Sequence, residues 1–346
     1  METLLEKLRD GVDLTQADVE AACALLLDEA RPVEARASLL QALSRKGETP
    51  TELAAFVNAL LIHARPIEIR ESGGPLIDVC GTGGDKQGLF NISTAVMFVA
   101  AAGGARVAKC GNRGVTSKSG GADVLEALGV RIELEPEQAA AVLDEVGCVF
   151  LFAPFYHPAV RAIAPVRKFL AERGETTIFN KLGPLMNPAR PPFQLSGVFD
   201  PAMVATYGEV FAALGRTRAW AVHGTTPHGG LDEMSTLGAT AGCAVERGEL
   251  RDFEVDAASH GIRRPELSEL LGGDSAQNAA RLEALLRGRA EDAIADMVAW
   301  NAAGALVVAG VCADLGEGLD RAREAIRSGA AAERLDALRA ATAGRS

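Results

Sequence analysis

Residues 76–104 read LIDVCGTGGDKQGLFNISTAVMFVAAAGG, and residues 105–129 read ARVAKCGNRGVTSKSGGADVLEALG. Each half is a short apolar strand, a glycine-rich loop and a helix rich in Ala, Val and Leu. In the first half, Leu76–Val79 feeds a turn at Gly81, Gly83 and Gly84, then a carboxylate at Asp85. The tetrad Asn91, Ile92, Ser93 and Thr94 opens the helix that follows. Bare glycines let the main chain approach a ligand closely, and donors at a helix N-terminus favour an anion. In the second half, the loop from Lys109 to Gly121 carries three basic residues, four hydroxyls or amides and four glycines. A loop offering Lys109, Asn112, Arg113, Thr116, Ser117, Lys118 and Ser119 can neutralise more than one phosphate. The plain alternative is a solvated surface loop, and a loop this long between a strand and a helix speaks against it.

The glycine spacing is not G-x-G-x-x-G, and G-x-x-x-x-G-K-[ST] occurs nowhere, which disfavours nicotinamide cofactors and P-loop nucleotides. Working outward, short apolar runs alternate with Ala/Leu-rich helices from about residue 75, the pattern of a parallel α/β sheet. Further strands are predicted at residues 105–108, 149–152, 195–198 and 218–222. Ligand sites of such sheets lie beyond the carboxyl ends of the strands, where both loops emerge. Residues 1–66 read instead as three or four short helices. Thr15 with Asp18, and Thr49 with Pro50 and Glu52, carry capping-box patterns, and Gly47 is a fitting C-terminal stop. The expected fold class is therefore α/β: a small N-terminal all-helical domain (1–66, completed by about 168–190) and a larger α/β domain with a mostly parallel central sheet (74–346).

With 346 residues the chain can bury a large core. Its net charge of −11 argues against nonspecific nucleic-acid binding. The six cysteines are scattered singly with no C-x-x-C, so neither a zinc site nor a disulfide framework is indicated. No apolar run is long enough to span a membrane, and the N-terminus lacks a signal-peptide pattern, so the expected compartment is the cytoplasm.

Two further stretches carry chemistry. In FLFAPFYHPAVRAIAPVRKFLAERGETTIFNKLGPLMNPARPP (150–192), Arg167 can offer a planar fork to a carboxylate beside aromatic residues. A surface ion pair is the alternative for Arg167, and a packed structural residue is the simpler reading of His157. Asn180–Pro188 reads as a connector back to the helical layer, or as a rigid turn. In AVHGTTPHGGLDEMSTLG (221–238), Asp232 and Glu233 stand side by side in a loop past a strand end. Adjacent carboxylates repel unless a cation lies beside them, and Mg2+ takes one or two carboxylates plus water and phosphate oxygens. A solvated Asp-Glu pair is the alternative. The Ala-rich helices after residue 261 read as scaffold, with Asn301 and Gly304 permitting close packing.

The ordered set GTGGD, NIST, KCGNRGVTSKSGGADVLEALG, FAPFYHPA, VR and TIFNKLGPLMNPA resembles the anthranilate phosphoribosyltransferase family over nearly the whole chain. The resemblance implies transfer of a phosphoribosyl group from 5-phosphoribosyl 1-pyrophosphate to anthranilate, a step of tryptophan biosynthesis, by a homodimer joined through the helical domain. It implies a donor site at Gly81, Gly84, Asp85, Asn91, Ile92, Ser93 and Thr94. The second loop would add Lys109, Cys110, Gly111, Asn112, Arg113 and Gly114, with Val115, Thr116, Ser117 and Gly121. Anthranilate would be met by Gly81, Asn112, Ala153, His157 and Arg167, the last holding its carboxylate. Mg2+ would be held by Ser93, Asp232 and Glu233. No general base is assigned.

The chain departs from the family pattern at four places. Cys110 replaces a usual His, Leu89 a common Thr, Gly121 a common Ser, and Gly-Gly precedes Leu231 where Asp-Gly is usual. Two other readings stand beside this one: a pyrimidine nucleoside phosphorylase-like enzyme of the same fold, and a non-catalytic nucleic-acid-binding relative.

Overall fold

A computed structural model describes residues 1–70, 73–114, 118–290 and 292–344. Its centre is an eight-stranded sheet of β1 (Leu76–Val79), β2 (Arg106–Gly111), β3 (Cys148–Phe152), β4 (Phe193–Gly197), β5 (Arg218–Thr226), β6 (Gly229–Leu231), β7 (Ala239–Glu246) and β8 (Glu249–Asp256). The order is β3-β2-β1-β4-β5-β7-β8, with β6 beside β5. The first five strands run parallel, and β6, β7 and β8 pair antiparallel. The protein is thus a small helical domain plus a larger α/β domain with a mostly parallel sheet, as the sequence led us to expect.

Both faces of the parallel part are covered, which is why β1 and β3 are buried at every position. On one face lie the apolar helix Ile92–Ala102 and the nearly all-buried helix Ala293–Val308, with Leu315–Arg327 and Ala330–Ala343 in the same core. A helix apolar all round, such as Ala293–Val308, has to be sandwiched between layers. On the other face, the helix Met203–Ala213 and the four N-terminal helices (Glu2–Arg9, Gln16–Leu27, Val33–Lys46 and Pro50–Leu61) share a second core with Ile163, Val166, Leu170, Phe179, Leu182 and Leu185.

The antiparallel hairpin β7–β8 was not among the predicted strands. It turns through two residues, Arg247 and Gly248, both with positive φ (50° and 88°), the two-residue geometry that suits strand twist.

Both N-terminal capping boxes form, at Thr15 with Asp18 and at Thr49 with Glu52. Glu52 does more than cap. Fully buried, it accepts the Leu14 amide (2.8 Å) with Oε1, while Oε2 takes the Lys46 ammonium (2.8 Å) and the Thr49 amide (2.8 Å). The Lys46 side chain is itself only 4% exposed. Lys46 also pairs with Asp13 (2.7 Å), so Glu52→Ala leaves chiefly the Leu14 and Thr49 amides unanswered and is expected to destabilise the helical layer by about 1–3 kcal/mol in urea unfolding. A loss under about 1 kcal/mol would mean that the Leu14 and Thr49 amides find other partners.

Candidate active site

The loops that follow β1, β2, β4 and β5 converge at one end of the sheet, and close backbone approach draws them together. Gly81, Gly197 and Gly224 all face the Asp232–Glu233 segment. A Cβ on Gly81 would run into the Asp232 carboxylate, one on Gly197 into the Asp232 carbonyl, and one on Gly224 into the Glu233 carbonyl. The segment is then pinned from the other side. The Asn301 amide, on Ala293–Val308, accepts from the Met234 N–H (2.8 Å) and donates to the Met234 carbonyl (2.9 Å), while Gly304 leaves room for the Met234 side chain.

Held this way, Asp232 and Glu233 are half-buried. Asp232 Oδ2 accepts the Gly83 amide at 2.6 Å. Burial, and after it the nearby Asp85, pushes the Asp232 carboxyl up to about 6. Burial and Asp232 push Glu233 up to about 8, against the Ser93 backbone amide, which favours the charged form. Asp85 is raised as well, by burial. Three carboxylates of rising proton affinity thus face the glycine turn and the start of helix Ile92–Ala102. A small cavity beside Glu233 is lined by Ser93, Gly197 and Asn301 together with apolar Val79, Val96 and Leu195.

Lys109, on β2, is the buried cation that faces this group. Its Nζ donates to the Val79 carbonyl at 2.7 Å, and its charge acts on Asp78, Asp232 and Glu233. Cys110 is buried beside it, and burial raises its thiol well above the ordinary range.

Asp123 organises the second glycine loop, a role that sequence reasoning missed. Oδ2 accepts the Gly114 amide (2.9 Å) and the Gly120 amide (2.8 Å), so one carboxylate ties the two ends of the loop together. Burial raises this acid, but those two amides and Arg113 outweigh it and hold the carboxyl below its usual range. Gly120 has to be bare, because a Cβ there would overlap the Gly114 amide. Val115, Thr116 and Ser117 lie outside the described residues. The Asn112 side chain accepts the Arg113 amide at 2.7 Å, and its carbonyl accepts Ala122 N–H. Arg113 itself pairs with Glu126 and Asp123 and lies 5.2 Å from the Phe152 ring, turned toward the helix Gly121–Ala127 that follows the loop.

In the first loop, Asn91 donates to the Ser119 carbonyl (3.1 Å) and accepts from buried Asn278 (2.8 Å), linking both loops to helix Ser275–Leu286. Asn278 and Asn301 carried a signal in the sequence, since each is an amide on the apolar side of an Ala/Leu helix. Thr94 is buried, and its Oγ1 would lie 2.8 Å from a Cβ on Gly121. The space for a side chain at Gly121 is therefore taken. Leu89 bridges antiparallel to Leu271 and packs on the core.

The residues expected around anthranilate are more dispersed. Ala153 opens the short helix Ala153–Tyr156 directly after β3, and His157 ends it. His157 is 5% exposed, and neither ring nitrogen makes a well-formed hydrogen bond among the described residues. Arg167 lies on Ala164–Ala171 with its guanidinium 5.9 Å from the Phe179 ring. It is exposed and makes no hydrogen bond or ion pair among the described residues, and partial desolvation of the guanidinium lowers its pKa.

Residues 2–64 match the family described as glycosyl transferase family, helical bundle domain, and residues 73–332 match its a/b domain. An anthranilate phosphoribosyltransferase of Desulfatibacillum aliphaticivorans is 42% identical over 335 residues, covering 97% of this chain and 96% of that protein. The chain belongs to the anthranilate phosphoribosyltransferase family. Among solved structures, the anthranilate phosphoribosyltransferase of Thermus thermophilus superposes with a TM-score of 0.89 at 40% identity, each chain covered to 99%. That of Saccharomyces cerevisiae, in complex with PRPP and Mg, gives 0.88 at 26% identity, covering 99% of this chain and 98% of that one. Membership of this family fits the long glycine loops and the paired acids, and the four departures from its pattern fall on Leu89, Cys110, Gly121 and the residues before Leu231.

His157 generates a pH prediction. Burial pushes its imidazole down to about 4, against the Met186 backbone, which pulls the other way. A folded pKa below the unfolded value means that the unfolded chain binds the proton more readily. The stabilisation from neutral His157 is therefore present above about pH 6.5 and lost as pH falls toward 4. The thermal midpoint of the wild type should fall over that window more than that of His157→Gln, by the equivalent of up to about 3 kcal/mol. Parallel pH curves for the two proteins would contradict this.

Proposed function

We propose that this chain transfers the phosphoribosyl group of 5-phosphoribosyl 1-pyrophosphate to the amine of anthranilate, releasing pyrophosphate. The observation that carries the reading is the Asp232–Glu233 pair, pressed onto the Gly81 turn opposite a helix N-terminus. Such a site brings acids, bare amides and a buried lysine to one point, and a phosphorylated sugar with a metal-bound leaving group suits it better than a single phosphate does.

The cation proposed for this site is Mg2+, with Ser93, Asp232 and Glu233 as its holders. The residues present fit it: the acids have raised proton affinity, and among the described residues neither carboxylate is neutralised by an ion pair. Among the described residues, no group of three His, Cys, Asp or Glu side chains forms a ready-made cage. Mg2+ characteristically takes one or two carboxylates and completes its shell with water and phosphate oxygens. When bound, it would neutralise the charge that builds on the departing pyrophosphate.

The chain's own part is positioning. The aromatic amine is already neutral near pH 7 and needs orientation more than activation. In the proposed reaction its nitrogen forms a bond to C1 as the C1–O bond to pyrophosphate breaks, and the amine proton leaves to solvent. Gly81 and Gly84, with the N-terminal end of helix Ile92–Ala102, would cradle phosphate oxygens. Asn91, held by Asn278, would fix the first loop against the second. Arg167, with no competing partner among the described residues, would receive the anthranilate carboxylate, with Asn112, Ala153 and His157 around the ring. We further propose that residues 1–66, with about 168–190, form one domain and 74–346 the other, and that two copies join through the helical domain.

Mixing the protein with phosphoribosyl pyrophosphate, Mg2+ and anthranilate should deplete anthranilate fluorescence only when all three are present. No depletion at any Mg2+ concentration would overturn the reading. Replacing Asp232 and Glu233 together by Ala should abolish Mg2+-dependent turnover with the thermal midpoint kept or raised, since repulsion is relieved. Arg167→Ala should raise KM for anthranilate by about tenfold or more, the worth of a charged hydrogen bond, with the donor KM nearly unchanged. Wild-type activity with aniline equal to that with anthranilate would show that no carboxylate is being read.

A further inference from the structure

At the centre of the sheet, β1 and β2 part company. They pair at Leu76 with Arg106 and at Ile77 with Val107. Beyond that point β1 stays zipped to β4 as far as Val79 with Leu195, and β2 stays zipped to β3 as far as Gly111 with Phe152. Side chains meet the backbone groups that border the split. Asp78 Oδ1 accepts the Cys110 amide (3.2 Å), Lys109 Nζ donates to the Val79 carbonyl (2.7 Å), and Asn187 donates to the Ala108 carbonyl (2.7 Å). Asp78 is wholly buried and Lys109 is 4% exposed. A carboxylate in the middle of a parallel sheet is costly unless a charge answers it. Two cations do so: Lys109, and Arg216, which is tied to Gln194 at 3.0 Å.

We infer that Asp78 is a positioning residue for donor binding, the inner counter-ion that holds the Lys109 ammonium back on the floor of the split, away from Asp232 and Glu233. Lys109 faces anions on two sides: Asp78 within the sheet, and Asp232 with Glu233 toward the open end. Without the inner charge, the ammonium is drawn to the outer pair and neutralises the carboxylates meant for the cation. With it, the outer pair stays free while the ammonium remains within reach of phosphate oxygens. One Asp78 oxygen makes no well-formed hydrogen bond among the described residues, which fits a group that acts through charge.

The inference rests on the donor reading given under Proposed function. Its test is Asp78→Asn, which keeps the shape and the acceptor for Cys110 N–H but removes the charge. The variant should weaken calorimetric binding of phosphoribosyl pyrophosphate with Mg2+ by about tenfold or more, and raise the half-saturating Mg2+ concentration in parallel. KM for anthranilate should stay within about threefold of wild type. In a Lys109→Met background, Asp78→Asn should add almost nothing, because its effect passes through that ammonium. A merely structural role would instead disturb both substrates and add its loss in either background. Unchanged donor binding, or full additivity with Lys109→Met, overturns the inference. So does failure of both Asp78→Asn and Asp78→Ser to fold, which would make Asp78 a residue of the fold. If the wild type itself turns over no donor with anthranilate, the donor reading fails, an outcome distinct from an active wild type indifferent to Asp78→Asn.

Discussion

The Asp232–Glu233 backbone lies so close to the ends of three strands that only glycine fits opposite it. Gly81 follows β1, Gly197 ends β4 and Gly224 lies within β5, and each leaves out the Cβ that would strike this one segment. Asn301 and Gly304 complete the vice from the helix beneath, by way of Met234. The result is an arrangement that a protein would not adopt for stability alone: three half-buried acids within reach of one another's charge. Packing forces supply the closeness, and the electrostatic cost that remains is one the proposed cation and phosphate oxygens would relieve.

That account explains how a chain of net charge −11 can handle a polyanionic donor. Attraction has to be local. The glycine turn at Gly81 and Gly84, a helix N-terminus at Ile92 and the buried ammonium of Lys109 form a small positive region inside an acidic molecule. Arg113, which the sequence offers as another phosphate ligand, is spent on Glu126 and Asp123. Its partner carboxylates lie on the next helix, where a short reach wins over a ligand that has yet to arrive.

How much of this could be read in advance follows from the range of each interaction. The strands, the two loops and the N-terminal capping boxes were legible because local pattern determines them: apolar runs, glycines, and a Thr three residues before an acid. The hairpin β7–β8 was missed because its alternation is diluted by small residues such as Ala241 and Gly242, and its turn signal is the single pair Arg247–Gly248. Asp78, Asp123 and Asn301 escaped as site-building residues for a different reason. Asp78 looks like an interruption in an apolar strand, Asp123 like an ordinary helix-start acid and Asn301 like a helix-packing residue. Only tertiary contacts reveal that the first meets Cys110 and Lys109, the second both ends of a loop, and the third the backbone of Met234. Gly197 and Gly224 were equally silent, since the clash that requires them comes from a segment far away in sequence.

The most direct test of the central claim, that the paired acids form the cation site of the phosphate end, is anomalous scattering from crystals grown with phosphoribosyl pyrophosphate and Mn2+ in place of Mg2+. The account predicts an anomalous peak bonded to at least one carboxylate oxygen of Asp232 or Glu233 and to an oxygen of the donor's pyrophosphate. Donor density accompanied by Mn2+ that touches neither carboxylate would contradict it.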